Sequence, residues 1–377
     1  MNRAITVTVD LGKHEDWTAR ERSNELRELA ISCGAEVIEE LIVNRDRIDP
    51  AHYIGSGKVE EIAKTCAEEK IDAVIFNNDL TGSQEKNLEK IIKTKIVDRT
   101  RLILDIFARR AHSNEGKLQV ELARLLYMLP RLTGKGVEMS RPGGGIGTSG
   151  PGEQKLEVDR RRIHSRMSRL KRELEGLSKR RAMMRKKRTR NSLPAIAIVG
   201  YTNAGKSTLI NTLTSSDVIV QDKLFSTLDP TVRRFVLPDR PACLDGHSMQ
   251  SGRREVLFID TVGFIDRLPH DLIEAFKATL EEVSQADMLL HVVDISHPKA
   301  KEQSDAVYRV LDEIGAKDKP VITALNKIDK VGDRSLIDKA LASFINPVAI
   351  SALKRESLDE LIETIRNLRG NLVGYGG

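Results

Sequence analysis

The sequence predicts an α/β protein in three parts: a small α/β domain over 1–108, a long antiparallel α-helical hairpin over 109–192, and a mostly parallel sheet flanked by helices over 193–370, with a short tail at 371–377. Three observations predict it. Short apolar runs alternate with helical patterns at both ends of the chain, which implies parallel strands joined by helical crossovers. Two leucine-rich seams at helical spacing fill the middle. A turn rich in glycine and closing on Lys-Ser follows an apolar run at 195–199 and opens a helix.

Composition bounds the rest. Of 377 residues, 40% are hydrophobic and 31% charged, enough apolar material for packed cores and against global disorder. No run reaches the ~18 apolar residues of a membrane span. The N-terminal stretch MNRAITVTVDLGKHEDW lacks the apolar segment of a signal peptide. A cytoplasmic protein with no membrane partner is expected. The three cysteines, Cys33, Cys66 and Cys243, lie far apart and exclude both a disulfide framework and a Cys-rich zinc site. The net charge of +6 is not evenly spread: residues 153–190 hold 16 Lys/Arg against 5 Asp/Glu, a surplus of 11 that leaves the rest of the chain acidic by 5. Basicity concentrated in this way favours a nucleic-acid contact, strengthened by counterion release from phosphates.

In chain order, strands are expected at 5–11, 36–45, 72–80 and 95–99, with helices at 22–34, 57–70 and 83–94. Gly34 is placed as a helix C-cap and Ser83 as an N-cap. The YIGSGK stretch (53–58) lacks the glycine spacing of a Walker loop and reads as the turn before the second helix. A single helix over 113–132 aligns Leu118, Leu122, Leu125, Leu126, Leu129 and Leu132 on one face. A second seam runs through Leu156, Ile163, Met167, Leu170, Leu174, Leu177 and Met184, close to a heptad. The stretch between them, 133–152, has eight glycines in twenty residues and forms the tip loop of the hairpin.

The chemistry is concentrated in the third part. Ala195–Val199 runs into Gly200-Tyr201-Thr202-Asn203-Ala204-Gly205-Lys206-Ser207, then a helix: G-x-x-x-x-G-K-S in its strand–loop–helix context. The two glycines let backbone wrap phosphate oxygens, and the loop N–H groups and helix N-terminus supply positive potential. Lys206 reaches the β- and γ-phosphates and the Ser207 hydroxyl ligates Mg²⁺. A buried strand at 255–259 leads into Asp260-Thr261-Val262-Gly263, where Asp260 can hold Mg²⁺ through water and the Gly263 N–H can sense a γ-phosphate. A further strand ends in Asn326-Lys327-Ile328-Asp329. The Asp329 carboxylate can accept both N–H groups of guanine, which adenine does not present. Ser351-Ala352-Leu353, after 347–350, is positioned to back the base.

These four elements resemble the G1, G3, G4 and G5 motifs of translation-factor-class P-loop GTPases. With FSTLDPT (225–231), YIGSGK and SRPGGGIGTSGPGE, nearly the whole chain resembles the HflX family of ribosome-associated GTPases. The resemblance implies a Mg²⁺-dependent GTPase that binds GTP and GDP, engages the large (50S) ribosomal subunit and its ribosomal RNA, and splits or recycles stalled 70S ribosomes, acting as a monomer. It implies that the hairpin loop enters near the peptidyl-transferase centre. It places Phe225, Ser226, Thr227, Leu228 and Asp229 in switch I, with Thr227 on Mg²⁺ and Thr231 as its rival. Asn203 matches a P-loop asparagine that helps ligate a monovalent cation in related GTPases, so K⁺ joins Mg²⁺ as a candidate cofactor.

Phe264 stands where a Ras-like enzyme has a water-orienting Gln, so no catalytic residue is assigned, and slow intrinsic hydrolysis stimulated by the ribosome is expected. The GTPase pattern runs to about Arg369, so the further C-terminal domain of some family members is not expected. Some members bind ATP through the N-terminal region. No motif for that is recognisable here, and no second site is assigned. Two other roles fit the same motifs: a ribosome-assembly GTPase acting on a precursor large subunit, and an RNA-binding module with a passive GTPase timer.

Overall fold

The computed structural model describes residues 2–12, 17–134, 151–189, 193–214, 225, 231–238, 255–266 and 270–373. The chain divides into two compact units, Met1–Gly176 with Pro269–Ala275, and Leu177–Leu268 with Phe276–Gly377.

In the first unit, β1 (Arg3–Asp10), β2 (Glu36–Asn44), β3 (Ala73–Phe76) and β4 (Lys95–Asp98) form a fully parallel sheet in the order β2-β1-β3-β4. Helices α1 (Ala19–Ser32), α2 (Ser56–Glu68) and α3 (Gly82–Ile92) make the crossovers. Ile5, Val7, Val74, Phe76, Ile62 and Leu88 build one of its apolar layers. Gly34 takes φ +79 just past α1, as its placement at the C-terminal cap requires. The cap of α3 is Thr81, not Ser83: the Thr81 hydroxyl accepts from Gln84 N while the Gln84 side chain accepts from Thr81 N, a capping box worth about 1 kcal/mol.

The single helix expected over 113–132 is only part of the helical region. α4 (Arg99–Arg110) precedes it, capped by Asp98, whose Oδ1 accepts from Arg101 N at 2.9 Å. α5 (Asn114–Met128) then starts on Ser113 and passes into a 3₁₀ turn at Leu129–Gly134. Its buried line is Gln119, Val120, Ala123 and Tyr127 with Leu122. Of the six leucines expected on one face only Leu122 is buried; Leu118, Leu125, Leu126, Leu129 and Leu132 are half-buried. Tyr127 Oη and Arg131 Nη2 both donate to the buried Asp98 carboxylate, at 3.0 and 2.7 Å, and tie the end of α5 to the end of β4.

α6 (Pro151–Thr189) carries the basic segment. Met167, Leu170 and Leu174 are buried at the expected heptad steps, and Ile163 and Leu177 are half-buried. The side chains of Leu156 and Met184, and all of residues 135–150, where the tip loop is expected, lie outside the described residues. Arg166 grips both carboxylate oxygens of Glu121 at 2.6 and 2.7 Å, which links α6 to α5. The pair is partly solvated and screened by water.

The second unit is a six-stranded sheet. Its strands are β5 (Ala195–Gly200), β6 (Thr231–Val236), β7 (Glu255–Asp260), β8 (Met288–Asp294), β9 (Val321–Asn326) and β10 (Pro347–Ala349), in the order β10-β9-β8-β5-β7-β6. All pairings are parallel except β6 with β7. Its helices are α7 (Lys206–Thr214), α8 (His270–Ser284), α9 (Ala300–Glu313), α10 (Arg334–Ser343) and α11 (Leu358–Val373). One core layer joins Ile196, Ile198, Leu209, Leu290, Ile322 and Leu361. Among the described residues no helix is long and apolar enough to cross a membrane.

Candidate nucleotide-binding site

Parallel strands deliver their carboxyl ends to one edge, and there the motifs meet. Gly200 ends β5, Asp260 ends β7, Asp294 ends β8 and Asn326 ends β9, with Ser351 just past β10. Open α/β sheets bind ligands at this edge.

The phosphate loop leaves β5 through Gly200 at φ +153, where a Cβ would sit 2.3 Å from Val292 O. Gly205, at φ +99, would drive a Cβ to 2.2 Å from Asn326 Nδ2. Any side chain at either position breaks the loop or its contact with the fourth motif. Asn203 is exposed at φ +61. Tyr201, Thr202 and Ala204 are buried, and the Thr202 hydroxyl has no hydrogen-bond partner among the described residues.

Lys206 is buried, and its ammonium donates to Gly200 O at 2.9 Å and Tyr201 O at 2.7 Å. Burial pulls it down to about 8; the Asp260 carboxylate opposes this and the Lys327 ammonium adds to it. A cation held at this cost is poised for an anion. Ser207 Oγ donates to Asp260 Oδ2 at 3.4 Å. Thr261 Oγ1 donates to Ile198 O at 2.5 Å and fixes the third motif against β5. Val262 is buried. Gly263 has its α-carbon against Thr202 and Lys206: a Cβ there would lie 3.0 Å from Thr202 Cγ2 and 3.1 Å from Lys206 Nζ.

Asn326 Oδ1 accepts from Ala352 N at 3.0 Å. Lys327, at φ +67, pairs with Asp294 Oδ2 at 2.6 Å. Asp294 is a site residue that motif reading passes over; its signal is the apolar run of β8 ending on an acid at the same sheet edge. Ile328 N–H donates to Ile350 O at 3.3 Å and seats the fourth motif on the fifth. Asp329, half-buried, accepts from Ser351 Oγ at 2.6 Å, which leaves its other oxygen and a second lone pair on this one for a base. Leu353 is 73% exposed, an apolar side chain standing open beside that carboxylate's support. Phe225 is buried, at φ +57. Ser226, Thr227, Leu228 and Asp229 lie outside the described residues.

The donor set suits Mg²⁺. Ser207 and Asp260 place a hydroxyl and a carboxylate, both hard oxygens, side by side. The described residues contain no cluster of three or more His, Cys, Asp or Glu able to hold a metal. Mg²⁺ commonly takes one or two protein oxygens and completes its shell with substrate phosphates and water, which is what this site offers.

Comparison with known proteins gives three consecutive family matches. A GTP-binding GTPase N-terminal region matches residues 20–108, a GTP-binding GTPase middle region 110–188, and a 50S ribosome-binding GTPase 195–327. The chain is 52% identical over 363 residues to GTPase HflX of Caldanaerobacter subterraneus subsp. tengcongensis, covering 96% of this chain and 79% of that protein. It is 40% identical over 364 residues to GTPase HflX of Escherichia coli K12, covering 96% and 82%. Among solved structures it is similar to the SsGBP–GDP complex, with 27% identity, a TM-score of 0.54 and 99% of each chain covered. A GTP-binding protein from Sulfolobus solfataricus in complex with GDP aligns at 27% identity and a TM-score of 0.50, covering 99% of this chain and all of that one.

Proposed function

Because the chain belongs to the HflX family of GTPases, we propose that it binds the large ribosomal subunit under GTP control and separates the subunits of stalled ribosomes. The observation that carries the nucleotide part is the convergence of Lys206, Ser207, Asp260 and Asp329 on one sheet edge. The ribosomal part is supported by the family match over 195–327 and by the surplus of 11 positive charges over 153–190. Arg160, Arg161, Arg162, Arg169, Lys171 and Arg172 are exposed along α6, suited to the phosphates of ribosomal RNA. The functional division is the small domain 1–108, the basic hairpin 109–192, the GTPase domain 193–370 and the tail 371–377.

GTP binding turns the Lys206 ammonium from the Gly200 and Tyr201 carbonyls toward the β- and γ-phosphates. Loop N–H groups hold the phosphates, and Asp329, oriented by Ser351, accepts the two guanine N–H groups. Ser207 and Thr227, with Asp260 through water, would hold Mg²⁺, which would supply neutralisation of the phosphate charge. The Gly263 N–H reads the γ-phosphate and orders the segment after it. Hydrolysis to GDP and phosphate resets the factor. Phe264 is 1% exposed and its side chain has no group to hydrogen-bond a water, so the chain alone hydrolyses GTP slowly and the ribosome supplies what is missing.

The test is GTP turnover by the purified chain, alone and with large subunits. A rate that rises steeply with large subunits supports the proposal. A fast rate that ribosomes leave unchanged contradicts it, and stimulation by precursor particles in preference to mature ones moves the role to subunit assembly.

A further inference from the structure

At the carboxyl end of β8, the Asp294 carboxylate is held on one oxygen and holds with the other. Its Oδ1 accepts from Ser296 Oγ at 2.6 Å and from Ser296 N at 3.0 Å. Its Oδ2 accepts from the Lys327 ammonium at 2.6 Å. The ion pair is largely shielded, with the Lys327 side chain 17% exposed and that of Asp294 14%. Water therefore competes little for either charge, and the pair keeps its geometry better than a surface pair does. The backbone repeats the link. Asp294 is the register partner of Asn326 in the β8–β9 ladder, and Ile295 N–H donates to Asn326 O at 3.2 Å.

Lys327 needs such an anchor because of its backbone. It takes φ +67 and ψ +33, the left-handed region, which crowds any residue with a Cβ. This residue leads the chain out of β9 into the 3₁₀ turn Ile328–Lys330, closed by Lys330 N–H on Lys327 O at 3.0 Å. Asp329 lies in that turn. A return of Lys327 to the right-handed or extended region would rotate the next peptide and carry the Asp329 carboxylate off Ser351. Strained conformations persist where the surroundings over-determine them. Here Asn326 is buried and bonded to Ala204 on one side, and Ile328 N–H bonds Ile350 O on the other. Asp294 fixes the side chain of the strained residue itself.

We propose that Asp294, oriented by Ser296, is a positioning residue for base recognition: by holding Lys327 it keeps the left-handed turn that aims Asp329, and so sets the preference for guanine over a base without the 2-amino group. The inference rests on the GTPase reading above and deepens it. Asp294 acts through Lys327, not on the base or the reacting atoms. A well-aimed carboxylate accepts two N–H groups from guanine but one from hypoxanthine, which lacks the amino group. A carboxylate that wanders therefore loses more on guanine.

The test uses the full chain with Asp294→Asn, which keeps the shape and removes the charge, and with Ser296→Ala, which keeps the charge and frees the carboxylate. GDP and inosine diphosphate are titrated against each. The parent is expected to prefer GDP. Asp294→Asn is expected to lower that preference about three- to ten-fold, the range that one weakened hydrogen bond gives, and Ser296→Ala to lower it by less. In a Lys327→Gly background the left-handed turn has no Cβ to crowd it. Adding Asp294→Asn there is expected to leave the preference where it stands. Loss of a negative charge at the site edge would tighten both nucleotides alike, and a damaged fold would weaken both alike, so neither moves the ratio. A ratio unchanged by Asp294→Asn overturns the proposal. So does an equal fall in the Lys327→Gly background, which would mean that Asp294 does not act through Lys327. A parent chain that binds neither nucleotide, or GDP no better than inosine diphosphate, overturns the guanine-site reading and the proposal with it.

Discussion

Asn326 Nδ2 donates a 2.8 Å hydrogen bond to the carbonyl of Ala204, joining the fourth motif to the phosphate loop across 122 residues of chain. The same amide accepts from Ala352 N, so one buried side chain holds three motifs in register. Asn326→Ala leaves a buried carbonyl and a buried N–H without these partners. The expected cost is about 2–4 kcal/mol of stability, read by denaturant unfolding, together with loss of measurable GTP binding. An unfolding midpoint equal to that of the parent would show that the link holds nothing.

The Lys206 ammonium makes nucleotide binding depend on pH. Its ordinary value of 10.5 is pulled to about 8 in the folded, empty site. Between about 8 and 10.5 the unfolded chain holds more protons than the folded one, so this lysine makes stability rise with pH across that window. Phosphate binding restores the charged form. At pH 9, titration calorimetry of GDP in buffers of different ionisation enthalpy is expected to reveal proton uptake of up to about one per site, and at pH 6.5 almost none. Heats independent of buffer at pH 9 would remove this account of the lysine.

In the proposed site, base selection rests on Asp329. Asp329→Asn replaces one of two acceptors with a donor that opposes the N–H groups of guanine. GTP affinity is expected to fall about 100-fold, or roughly 3 kcal/mol, by competition binding. Ser351→Ala, which frees the carboxylate to rotate and takes the acceptor from Lys354 N, is expected to cost about 5-fold. A larger loss at Ser351 than at Asp329 would reverse their roles.

Asn203 tests the monovalent cation. It stands exposed at φ +61 on the phosphate loop. GTP turnover is expected to be higher in K⁺ than in Na⁺ at equal ionic strength, and Asn203→Ala to erase the difference. Equal rates in the two salts for the parent chain would leave no role for K⁺.

The sites most legible in sequence are those in which local spacing dictates backbone shape. Gly200 and Gly205 are required by φ values and close approaches that no other residue meets, so the loop is written in the chain itself. Helix ends are less legible. Thr81 and Ser83 are both plausible caps, and the choice falls to Thr81 because Gln84 stands three residues on to close the box. α4 is hard to see because Leu102, Ile103, Leu104, Ile106 and Phe107 are all buried, which leaves only a narrow polar stripe through Arg101, Asp105 and Arg109. Tertiary pairs leave no local trace at all: Asp294 with Lys327 lies 33 residues apart, and Tyr201 with Asp266 lies 65 apart.

The most direct measurement is sedimentation of intact ribosomes on a density gradient after mixing with the purified chain and GTP, GDP or a non-hydrolysable GTP analogue. Separated subunits with GTP and with the analogue, but not with GDP, are the predicted result, since in the proposed account binding energy drives separation and hydrolysis only resets the factor. Ribosomes that stay intact with all three nucleotides would contradict the account.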